Sequence, residues 1–84
     1  MKFVPGQMVR LEHIPGSAQL VRKRQLFMTS FYACKNAIYN EARSGVVTSE
    51  ELLLVLQTVE DEARVLSSSG VLGWMDAANL EEVP

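Results

Sequence analysis

Eighty-four residues, 48% of them apolar, with a net charge of −2, fit one small globular domain and exclude a disordered chain. No apolar run approaches the ~20 residues that span a bilayer, so a membrane is not an expected partner. The N-terminus carries no signal-like apolar segment, which makes the cytoplasm the expected compartment. Cys34 is the only cysteine, so an intramolecular disulfide and a cysteine-based zinc site are both ruled out.

Charge is divided unevenly. Residues 1–43 carry seven cations against two anions, and residues 44–84 carry one cation against eight anions. Two arms of opposite sign attract each other when they pair within a chain or between chains.

The N-terminal residues 1–16 are set apart by two breakers, Pro5-Gly6 and Pro15-Gly16. Met8, Val9, Leu11 and Ile14 between them suit an extended or short β arm. A strand-turn-strand path through residues 7–24 competes with a helix entry, because Ala18, Leu20, Arg22, Lys23, Arg24 and Gln25 are good helix formers.

A first helix is expected over residues 17–43, capped by Ser17. Its main apolar stripe is Leu20, Phe27, Phe31, Cys34, Ile38 and Ala42. A second stripe, Val21, Met28, Tyr32 and Tyr39, lies about 100° around the same cylinder. The segment from Ser44 to Leu52 then resembles a helix end, a reversal and a new start. Gly45 suits a C-terminal cap, and Thr48 with Glu51 three residues on has the spacing of a capping box. Val47 and Leu52 occupy the staple positions.

The second helix is expected over residues 48–69, on a seam of Leu52, Val55, Leu56, Val59, Ala63 and Leu66, with Leu54 and Val65 on its back. A short third helix follows through Val71, Leu72, Trp74, Met75 and Leu80, with residues 81–84 as a frayed tail. The expected fold is therefore all-α, an antiparallel helical hairpin with a short C-terminal helix.

No catalytic constellation is visible. His13 stands without a partnering acid or cysteine, and Cys34 sits where a small buried hydrophobe belongs. Glu60-Asp61-Glu62 would point three ways from a helix and could not close on one metal. Phosphate-loop, dinucleotide, zinc and calcium motifs are all missing. No catalytic residue, cofactor or metal is expected, and the chain is taken as a non-enzyme.

Val21, Met28, Tyr32, Tyr39, Leu54, Val65 and Trp74 exceed what one hairpin can cover, and they form the expected protein interface of a symmetric homodimer. Arg22, Lys23, Arg24 and Lys35 form a candidate anion or nucleic-acid contact. The favoured function is a protein-binding or regulatory module. The alternatives are a small nucleic-acid-binding protein and a structural subunit or assembly factor of a larger complex.

Overall fold

Residues 53–67 are two strands and a tight turn, not a helix. The computed structural model describes residues 3–12, 21–28, 30 and 43–83, and over these the chain is an antiparallel sheet of seven strands. They are β1 (Met8–Leu11), β2 (Lys23–Phe27), β3 (Arg43–Thr48), β4 (Leu53–Val59), β5 (Glu62–Ser67), β6 (Leu72–Asp76) and β7 (Leu80–Glu82). Their order across the sheet is β3-β2-β6-β5-β4-β1-β7.

The helical hairpin expected over 17–43 and 48–69 is thus overturned. Leu52 to Leu56 are five consecutive apolar residues, and such a run satisfies a period of 3.6 and a period of 2 equally well. The β-branched Val55, Thr58, Val59 and Val65 lose rotamer freedom in a helix and pack well on a pleated surface. The seam drawn for the second helix therefore splits between faces: Val55 and Ala63 point into the core, while Leu56 and Leu66 are exposed. The third helix is likewise β6, a single 3-10 turn (Ala77–Asn79) and β7, so Glu81 and Glu82 belong to a strand. Met8–Leu11, within the expected extended or short β arm, is a strand set inside the sheet, where β1 pairs with both β4 and β7.

Local signals in the Ser44–Leu52 stretch are real but serve a β-turn. The Glu51 carboxylate accepts from the Thr48 backbone N–H at 2.6 Å, which is the reach expected of a capping-box glutamate. The Glu51 N–H returns a bond to the Thr48 carbonyl at 3.2 Å, and the chain leaves as β4. Gly45, expected as a helix cap, lies within β3 opposite Leu26.

The sheet must be rolled. β6 and β7 stand four inter-strand steps apart, about 19 Å on a flat sheet. The connection from Asp76 to Leu80 can span at most ~14 Å. Only curvature brings the end of β6 to the start of β7, and the 3-10 turn makes the corner with Ala78 N–H bonded to Asp76 Oδ1 at 2.9 Å. Every strand then sends a side chain into one core: Val9 and Leu11, Leu26, Val47, Leu53 and Val55, Ala63 and Val65, Met75, and Leu80, with Phe3 and Ala77 closing it. Gly73 admits the closest approach, because a Cβ there would stand 2.8 Å from Leu26 Cβ and 2.9 Å from the Phe27 carbonyl.

Candidate interaction surface

A strand alternates its side chains between two faces, so the residues next to the core residues form the outer face. On that face pairing aligns Met8 with Leu54, Leu54 with Leu66, and Leu66 with Leu72. Four apolar side chains thus make one row across β1, β4, β5 and β6. Met8, Leu66 and Leu72 are 40%, 38% and 39% exposed, and Leu54 is half-buried between them. Leu52 and Leu56, also exposed, widen the row along β4. A bulge at Leu56 sets two residues, Leu56 and Gln57, against Arg64, which keeps Thr58 paired with Ala63.

Polar residues border the row on both sides. Two residues along β1, Arg10 pairs across the strands with Glu81, Nη2 to Oε2 at 3.0 Å. Two residues back along β5, Arg64 stands between Gln57 and Trp74 on the neighbouring strands. Among the described residues the Arg64 guanidinium has neither an ion pair nor a hydrogen bond. Beyond it, Glu62 is buried and accepts from Ser30 Oγ at 2.8 Å.

The far end of β4 is tied by Glu51. Its carboxylate takes hydrogen bonds from Ser69 Oγ and the Thr48 N–H, and these hold its pKa below the ordinary 4.5 against the opposing pull of desolvation. One side chain thereby joins the β3–β4 turn to the β5–β6 turn. Ser67 Oγ completes that second turn by accepting from the Val71 N–H at 2.9 Å.

The residues expected at an interface are dispersed. Val21 and Met28 are exposed at the two ends of β2, while Leu54 is in the outer row. Val65 is fully buried in the core, and Trp74 is 7% exposed, so neither presents a surface. Tyr32 and Tyr39 lie outside the described residues, as do His13, Cys34 and Lys35. The row itself was hidden in the sequence, since Met8, Leu66 and Leu72 become neighbours only through strand register. The one available signal was the unbroken run from Leu52 to Leu56, which is more apolar than a strand with one wet face requires.

Arg22, Lys23 and Arg24 do not form one patch. In a strand consecutive residues point to opposite faces, so within β2 Lys23 opposes Arg24, and Arg22 stands just before the strand. Arg22 is committed to the architecture: its N–H bonds Ser49 Oγ at 2.9 Å, its carbonyl receives the Ser49 N–H at 2.9 Å, and its guanidinium reaches the Glu12 carbonyl. The Arg24 guanidinium turns back onto the Lys23 carbonyl at 2.9 Å.

Among the described residues no group of three or more His, Cys, Asp or Glu is placed to hold a metal ion, and no helix is long and apolar enough to cross a membrane. No family model matches the chain, and neither a curated protein nor a solved structure matches it significantly. Over the described residues, fold and surface define a rolled antiparallel β sheet with a partly exposed apolar row on its outer face.

Proposed function

We propose that the chain is a non-enzymatic protein-binding module that engages its partner through the outer row of Met8, Leu54, Leu66 and Leu72. The observation that carries this reading is the row's continuity over four strands. Singly exposed leucines are ordinary on a protein surface, but aligned ones make a contiguous apolar strip rimmed by polar groups, the pattern of an interaction site. The homodimer expected from the sequence drew its interface from helix faces, and where those residues are described they lie in or beside strands, so the row replaces those faces as the binding surface.

Affinity capture from the native cell tests the reading. Tagged wild-type chain and a Leu66→Ser/Leu72→Ser variant are compared, each with and without nuclease, after circular dichroism shows both folded. The expected result is a set of proteins that survives nuclease and is lost with the variant. Proteins retained equally by the variant would overturn the reading. Recovery that vanishes with nuclease would move the function to nucleic acid.

A further inference from the structure

We propose that the outer row is a docking site for an amphipathic helix whose flank carries acidic residues facing Arg64. The inference rests on the protein-binding reading and adds the kind of partner.

Backbone pairing excludes the main alternative. β1, β4, β5 and β6, the four strands under the row, each have a neighbour on both sides. None can accept an added strand, so the occupant is held by side chains alone and must satisfy its own backbone hydrogen bonds. An α-helix does so.

The dimensions agree. Met8 to Leu72 is three inter-strand steps, about 14 Å. Three helical turns cover about 16 Å, so apolar residues one turn apart along a helix stay close to the row at every strand. Arg10 and Arg64 lie two residues to either side of the row, which sets them about 13 Å apart along the strand direction. A helix with its side chains is ~10–12 Å across and fits between those borders.

Charge selects the sign of the helix flank. Arg10 is already matched by Glu81, whereas Arg64 has no anion of its own among the described residues. The acidic side chains beside the row are already engaged, Glu81 with Arg10, Glu62 with Ser30 and Asp76 with the Ala78 N–H, so a second copy packed row to row would bring another Arg64 rather than its anion. Covering Arg64 without an anion would bury an uncompensated charge. An acidic flank on the partner removes that penalty and rejects basic competitors.

The test uses three fluorescent 18-residue helical peptides with leucines one turn apart: one flanked by glutamates, one by lysines, and one glutamate-flanked with serines replacing the leucines. Anisotropy titration of the full chain is expected to show the glutamate peptide binding about tenfold more tightly than the lysine peptide. The serine peptide should not bind. Arg64→Glu should reverse the preference, and Leu66→Ser should abolish it while leaving the circular dichroism spectrum unchanged. Equal binding of the two leucine peptides, or a preference untouched by Arg64→Glu, would overturn the inference. No peptide binding alongside Leu66-dependent capture from cells would overturn the helix but leave the protein-binding reading intact. Leu66-dependent dimerisation in sedimentation would make the occupant a second copy and overturn the helix as well.

Discussion

Leu53 and Leu54 are adjacent and chemically identical, yet one is fully buried and the other lies in the outer row. Val65 and Leu66 repeat the contrast one strand over. The inner face is covered by the sheet's own curvature, with every strand contributing, whereas Met8, Leu66 and Leu72 of the outer row remain exposed. Apolar character therefore says little about a residue's role here; the face it occupies decides. Inner leucines hold the fold together, and outer ones are available for contact.

Truncation should separate the two faces most sharply. Leu53→Ala leaves a cavity in a core that cannot collapse freely, and should cost about 2–5 kcal/mol of unfolding free energy. Leu66→Ser removes a side chain that is 38% exposed and flanked by Leu54 and Leu72, and should cost less, about 0.5–1.5 kcal/mol. Urea denaturation of the two variants measures both. If Leu66→Ser proved as damaging as Leu53→Ala, the outer row would be structural and the comparison would fail.

Gly73 probes the seam where the β2–β3 hairpin meets the rolled part of the sheet. An alanine methyl would meet Leu26 Cβ and the Phe27 carbonyl, and the second of these is backbone and cannot swing aside. Gly73→Ala should therefore destabilise by about 1–3 kcal/mol through overpacking. Hydrogen exchange should place the loss in β2 and β3 ahead of β4 and β5. Uniform loss across all strands would show that hairpin and roll are one cooperative unit.

Sheet topology was illegible from the sequence for a related reason. A strand apolar on both faces has no alternation to display, and residues 52–56 are of that kind. The turn between β4 and β5 adds to the disguise. Glu60 and Asp61 fill a two-residue hairpin loop without the Asn-Gly or Asp-Gly pair that usually announces one. What could be read was local: Glu51 reaching back to Thr48, and breakers at Pro5-Gly6. The apolar row depends on register among four strands, and no single stretch of sequence contains it. Arg64, the border charge, stood out only as the one cation in an acidic half.

Glu60 opens the turn that joins β4 to β5. It takes a φ of 51°, the positive value that a two-residue hairpin loop demands at its first position. Residues with a Cβ adopt this region at a cost of about 1–2 kcal/mol, and glycine does not bear it. Glycine's greater freedom in the unfolded chain offsets part of the gain. Glu60→Gly should thus raise stability by about 0.5–1 kcal/mol, seen as a higher melting temperature with the outer row unchanged. A lower melting temperature would mean that the turn tolerates register slippage, which in a sheet exchanges inner for outer residues.

The smallest effect concerns the ends of the strands that carry the row. The fold favours the charged form of Glu51, foremost through Ser69 Oγ and then the Thr48 N–H, so its folded pKa lies below the unfolded value near 4.5. A group depressed in this way contributes stability that is complete above the unfolded pKa and is lost as pH falls through the folded one. Glu51 is largely solvated, which keeps the contribution small. The melting temperature of Glu51→Gln should accordingly fall below wild type at pH 7, and the two should converge as the pH falls below the unfolded value near 4.5. A gap that stayed constant with pH would assign the role of Glu51 to packing. A gap that closed with acid would show that the charged Glu51 carboxylate, through its bonds to the Thr48 N–H and Ser69 Oγ, stabilises the fold by joining the β3–β4 and β5–β6 turns.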